Sequence, residues 1–236
     1  MYWELLTFKE LEHINKNKVV LLPVGAIEAH GMHLPLGTDS IISYWLCRKI
    51  SQKYPCIVGP LINFGLSESL LSFPGTISIR KKTLKYLLED TLSSILNHGF
   101  KKIFILNGHG GNDIMIEEVV NKFNRTKREV KIKWENWYNL PFLKALKIQD
   151  KSYRGDHADK LETEILLALY PKLVKRNVIK DHLPKWPVKE IKDYRKIMKY
   201  GVYGFPSTAK KERGEKLFKK IISKLVRDIK NFDGKG

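Results

Sequence analysis

The chain has 236 residues, 43% of them hydrophobic, and a formal net charge of +18. That length suits one substantial core, so a single domain over 1–236 is expected, and no apolar run is long enough to span a bilayer. The charge invites a nucleic-acid partner, but no DNA- or RNA-binding motif appears, and the basic residues fall mainly on helical patterns with an apolar opposite face.

The opening Met1-Tyr2-Trp3-Glu4 lacks the basic and apolar regions of a signal peptide, which points to the cytoplasm. Residues 19–24 form a short apolar run ending at Gly25 and read as a buried strand. Residues 40–53 have helical periodicity, with Asp39 or Ser40 as a cap. Residues 56–62 read as a second strand. Residues 83–96 are an amphipathic helix, closed by Gly99 in a left-handed C′ position. Residues 102–106 are a third buried strand, and a helix follows over 113–127. Residues 130–134 alternate as a strand would, and helices are expected over 158–169 and 209–229. Residues 180–206, with Pro184, Pro187 and Pro206, read as an ordered excursion. Cys47 and Cys56 lie in different elements, outside metal or redox spacing, and read as buried and unpaired. Alternating strands and helices predict an α/β fold with a mostly parallel sheet and helices on both faces.

In such a sheet, ligands bind beyond the carboxyl ends of the strands. Residues 25–39 lie there and hold Glu28, His30, His33 and Asp39 among glycines and Pro35. Glu28 and His30 are two apart, so an extended segment points them the same way. Carboxylate plus imidazole is the usual donor set for zinc, manganese or iron. The bland alternative is a polar loop with a helix-capping aspartate. A second segment, Asn107-Gly108-His109-Gly110-Gly111-Asn112, places a histidine directly after a strand in a glycine-rich turn. Its spacing fits neither a P-loop nor a dinucleotide fingerprint. A third, Asp156-His157-Ala158-Asp159-Lys160-Leu161-Glu162, reads on its own as an acidic first helical turn with Asp156 as cap. Trp134, Trp137, Tyr138 and Tyr153 could wall a flat substrate, or simply be core and interface aromatics.

Taken together, these segments resemble the creatininase family. The loop over 25–39 is similar to its Gly-x-x-Glu-x-His-Gly signature leading to Leu-Pro-Leu-Gly-Thr-Asp. Asn107-Gly108-His109 matches its Asn-Gly-His turn, and His157-Ala158 with Glu162-Thr163 matches its His-Ala and Glu-Thr segment. Phe73-Pro74-Gly75-Thr76 and the glycines of 201–214 resemble two further segments. The resemblance implies a three-layer α/β/α fold, usually a homo-hexamer, and two divalent metals per chain, zinc first, with manganese or iron as alternatives. It implies that Glu28, Asp39 and His109 hold one metal, that His30 and Asp39 hold the other, and that His157 moves protons. Two departures stand out. Gly111 occupies the place of an acidic ligand, so Glu162 is the candidate replacement, with Glu164 the nearest alternative. Ser69-Leu70-Leu71 replaces a histidine-bearing stretch before Phe73.

The implied activity is metal-dependent hydrolysis of a C–N bond in a small cyclic or linear amide, with Trp134, Trp137 and Tyr153 as candidate substrate contacts. A second expectation is a deformylase acting on a formamidopyrimidine ribonucleotide in flavin or deazaflavin biosynthesis. A third, from another class, is a basic nucleic-acid-binding protein with a vestigial metal site. Four intact ligand residues argue against that third reading.

Overall fold

The computed structural model describes residues 1–184 and 193–235. In chain order the elements are α1 (Phe8–His13), β1 (Val20–Val24), α2 (Thr38–Ser51), β2 (Ile57–Val58), α3 (Lys81–Asn97), β3 (Lys102–Asn107), α4 (Asp113–Thr126), β4 (Lys131–Asn136), α5 (Pro141–Gln149), α6 (Lys160–Leu169) and α7 (Lys211–Asp233). The strands are all parallel, in the order β2-β1-β3-β4. Every residue of β1 is buried, as a strand covered on both faces requires.

Two cores sandwich the sheet, giving the three layers expected. Val20, Leu22, Ile103 and Ile105 meet α3 and α4 on one face. Leu21, Val58, Phe104 and Leu106 meet α2, α6 and α7 on the other. Leu84, Leu88 and Leu92 recur every four residues on α3 and are fully buried. Each such side chain contributes on the order of 1.5–3 kcal/mol from burial. Cys47 and Cys56 are buried and free.

Pro23 sits within β1, where a proline removes a ladder donor. The carbonyls of Val19, Leu21 and Pro23 face β2, while Val24 faces the β3 side. The missing N–H therefore points where β2 has already left the ladder at Gly59-Pro60, and the sheet loses no bond. The same departure explains why the second strand spans only Ile57–Val58 rather than 56–62, with Ile62 returning as a single bridge to Val24.

Other boundaries differ for local reasons. Gly37, not Asp39 or Ser40, is the N-cap of α2, and Asp39 lies inside its first turn. The third segment begins its helix at Lys160, because Ala158 has φ 48° and cannot continue an α-helix backward. Its cap is Asp159, not Asp156, accepting from the Glu162 backbone N–H at 3.1 Å. Gly99 takes positive φ as anticipated. The short helices α1 and α5 went unanticipated. The excursion over 180–206 lies partly outside the described residues.

Two glycines bring α2 against the strand ends. A Cβ at Gly25 would lie 2.5 Å from the Cα of Ser40, and one at Gly108 would lie 2.3 Å from the carbonyl oxygen of Asp39. Only hydrogen fits at either place, so the first turn of α2 rests directly on the ends of β1 and β3. This is what carries Asp39 to the middle of the carboxyl edge.

Candidate metal centre

Three elements deliver the polar groups. The loop after β1 gives Glu28 and His30, the first turn of α2 gives Asp39, and the turn after β3 gives His109. The segment entering α6 adds His157 and Glu162. Glu28, His30 and Asp39 are almost completely buried. The Thr76 hydroxyl accepts from the Ala29 N–H at 3.0 Å and braces the loop. His33 is buried behind it, with Nε2 2.9 Å from the Thr163 hydroxyl, tying the loop to α6.

The groups fall into overlapping triads. Glu28, Asp39 and His109 form one, and His30, Asp39 and Glu162 form another, with ligand atoms within 4.8 Å of each other. A third possible set is Glu28, His30 and His157. His109 Nδ1 lies 3.1 Å from Asp39 Oδ2 and 3.3 Å from Glu28 Oε1. His30 Nε2 lies 3.1 Å from Asp39 Oδ1 and 3.7 Å from Glu162 Oε1. Asp39 thus faces both histidines with different oxygens.

Backbone carbonyls orient the rings. His30 Nδ1 is 3.1 Å from the Glu28 carbonyl, and His109 Nε2 is 2.9 Å from the Leu66 carbonyl. A carbonyl can only accept, so those nitrogens carry the protons. The opposite nitrogens, facing the carboxylates, are left as ligand atoms, the usual arrangement behind a metal-binding histidine. Among the described residues, Glu28 Oε2, His30 Nε2, Asp39 Oδ2 and Glu162 Oε2 are buried without a hydrogen-bond partner. Buried acceptors facing acceptors are costly unless a proton or cation lies between them. The donor set therefore fits divalent metal.

Electrostatics agree. Burial works against charge on both His30 and His109, yet the carboxylates outweigh it: Asp39 and Glu162 pull His30 well above its ordinary value, and Glu28 and Asp39 do the same for His109. Burial likewise opposes ionisation of Asp39 and Glu28. The histidines prevail there too, holding both carboxyls below their usual range. His157 moves the other way, lowered by burial and by His30, whose ring centroid is 4.5 Å away. Its Nε2 is 2.6 Å from the Ala29 carbonyl, and its Nδ1 is 3.5 Å from Glu28 Oε1.

A cavity of about 330 Å³ opens over these groups. Glu28, Asp39, His109, His157 and Glu162 line it, together with Tyr138, Asn139, Lys147, Asp156 and Asp159. Asp159 is pushed up to about 7 by burial and by the neighbouring Glu162. Burial and the nearby Asp113 hold the Tyr138 phenol well above its ordinary value, so it stays a donor.

The structure thus brings together Glu28, His30, Asp39, His109, His157 and Glu162. Glu164 points elsewhere: it accepts from the Tyr153 hydroxyl and from the Lys210 N–H at 3.2 Å. Trp137 and Tyr153 are fully buried in the core on the α2/α6/α7 face and do not line the cavity. Trp134 packs against the opposite core. Among the described residues, the aromatic that reaches the cavity is Tyr138. A tight fit explains the glycine at 111: a Cβ there would lie 2.3 Å from the Leu66 carbonyl oxygen and 2.4 Å from His109 Nε2. No side chain can start at that position without displacing a ring that faces Glu28 and Asp39.

Comparison with known proteins places the chain in a family. A family model for creatininase, described as creatinine amidohydrolase, matches residues 4–229. Creatinine amidohydrolase of Pseudomonas putida is 26% identical over 245 residues, covering 95% of this chain and 94% of its own. The mycofactocin precursor peptide peptidase of Mycolicibacterium smegmatis is 27% identical, covering 91% and 85%. A zinc–zinc form of a mutant creatininase superposes with a TM-score of 0.86 at 25% identity, covering 98% and 97%.

Proposed function

The chain belongs to the creatininase family and is a hydrolase of carbon–nitrogen bonds, and from that premise we propose that it is a metal-dependent amidohydrolase acting on a small amide. The observation that carries this reading is the set of four buried, unpartnered ligand atoms on Glu28, His30, Asp39 and Glu162. Glu28, Asp39 and His109 would hold one divalent ion. His30, Asp39 and Glu162 would hold a second, with Asp39 shared. Bound there, such ions supply a water of lowered pKa and polarise the amide carbonyl.

The chain's own groups do the rest. With its Nε2 proton donated to the Ala29 carbonyl, neutral His157 keeps a bare Nδ1 beside Glu28, which lines the cavity with it. Its lowered pKa keeps it neutral near pH 7, ready to accept. It takes the proton lost by the attacking water and passes it to the departing nitrogen. The oxygen–carbon bond forms, the carbon–nitrogen bond breaks, and the proton ends on the amine. Asp159 fixes the first turn of α6, and with it Glu162, by capping the helix.

The test is a screen of zinc-loaded and chelator-stripped protein against creatinine, N-formyl compounds, lactams and short peptides. Amine release from at least one amide, abolished by stripping and restored by zinc, is expected. A native-folded chain that takes up no divalent metal would end the proposal.

Metal uptake should also be strongly pH-dependent. Both His30 and His109 are pulled up in the metal-free chain, so both are protonated at neutral pH. Ligation needs them neutral, so loading should release about two protons per chain. Lowering the pH adds competing protons, and affinity should fall; raising it should strengthen binding. Calorimetry in buffers of different ionisation heat counts the protons, and metal affinity that does not change with pH would contradict the ligand assignment.

A further inference from the structure

Among the groups around the cavity, Tyr138 is the one whose chemistry is left over. It lies in the turn directly after β4, at the same carboxyl edge as the ligand loops. Its ring is braced edge-on by the fully buried Trp137, with centroids 5.7 Å apart and planes at 87°. Its hydroxyl is buried and has no hydrogen-bond partner among the described residues. A buried hydroxyl left without a partner is costly to a fold, and one at a cavity wall is explained by a partner that arrives with the ligand.

The wall beside that hydroxyl is a glycine. Gly110 lines the same cavity, and a Cβ built on it would stand 3.3 Å from the Tyr138 oxygen. A methyl group there would crowd the phenol oxygen, so the bare glycine keeps the approach to it clear for a ligand atom. Gly110 immediately follows His109, so that approach adjoins the triad of Glu28, Asp39 and His109. An oxygen seated there would touch the phenol on one side and lie next to the ligand cluster on the other.

We propose that Tyr138 donates a hydrogen bond to the carbonyl oxygen of the amide under attack, on the approach that Gly110 keeps clear. This rests on the amidohydrolase reading and deepens it. The phenol stabilises the oxygen as negative charge grows on it, and Gly110 is required as the absence of a side chain. Donors aimed at a developing oxyanion act mainly on the transition state.

The experiment measures calorimetric binding of acetohydroxamate, a small amide analogue, to the zinc-loaded protein. It compares the natural chain, Tyr138→Phe and Gly110→Ala, with metal content determined for each. Tyr138→Phe should bind about tenfold or more weakly with full metal content, since it loses a hydrogen bond to a polarised oxygen. Gly110→Ala, which keeps the phenol but crowds its oxygen, should weaken binding likewise, and its φ is one that alanine adopts. On whichever amide the natural chain hydrolyses, Tyr138→Phe should lower kcat more than it raises KM. Unchanged hydroxamate affinity in Tyr138→Phe, or loss of metal from it, overturns the proposal while leaving the amidohydrolase reading intact. If the zinc-loaded natural chain binds no hydroxamate while it hydrolyses an amide, this inference falls alone; if the chain takes up no metal, the amidohydrolase reading falls and this inference with it.

Discussion

Asp39→Ala is expected to empty the whole metal centre and abolish hydrolysis. Asp39 is buried and presents one oxygen to His30 at 3.1 Å and the other to His109 at the same distance. It belongs to both triads that Glu28 and Glu162 complete. Its removal takes one carboxylate from each site and leaves the His30 and His109 imidazoles facing a void. Glu162→Ala gives the contrast. Glu162 enters only the triad with His30 and Asp39, so one ion should go and the other stay. Elemental analysis of the two purified variants separates the cases. Full retention of metal by Asp39→Ala would exclude a shared carboxylate. The backbone should survive either change, because the close approach at Gly108 involves the Asp39 carbonyl and not its side chain.

His157→Ala is expected to cut turnover by roughly 10²–10⁴-fold, the range for losing a general acid–base group, while both ions remain. The ring stands beside His30, with Nδ1 3.5 Å from Glu28 Oε1, and is complementary to the two main triads rather than part of them. His109→Ala should behave differently and lose metal and activity together. The rival is the third possible set of Glu28, His30 and His157. Should His157→Ala lose an ion, that set is the true ligand set, and the proton carrier must be sought elsewhere. Should it change neither metal nor rate, the residue only orders the turn before α6.

The parts of this centre that were legible in the sequence are those compressed into single loops. Glu28, His30 and Asp39 fall within residues 25–39 and His109 within a six-residue turn, so donor type, glycine spacing and strand ends coincide in the letters. The sheet was readable because buried parallel strands are continuous apolar runs. What stayed hidden depends on contacts distant in sequence. Trp134, Trp137, Tyr138 and Tyr153 are alike as letters. Which ring meets the cavity depends on how β4 turns into its loop and on Glu164 claiming the Tyr153 hydroxyl. Lys147 and Asn139 sit on or beside α5, which starts at Pro141 and is only nine residues long, too short for its pattern to stand out. The true start of α6 depended on a single positive φ at Ala158. The reason for glycine at 111 required knowing that the Leu66 carbonyl lies above it.

The order of these pieces along the chain bears on how such a protein can change its diet. The segments that carry Glu28, His30, Asp39 and His109 lean on tightly seated strand ends, where Gly25 and Gly108 forbid even a methyl group. Tyr138, Asn139, Lys147 and Asp156 instead come from one later stretch between β4 and α6, built of short turns and α5. Connecting segments of that kind tolerate insertion and replacement far better than packed strand ends. Descent with modification can therefore rewrite the mouth of the cavity at Asn139, Lys147 and Asp156, and with it the molecule admitted, while Tyr138 and the strand-end segments are kept.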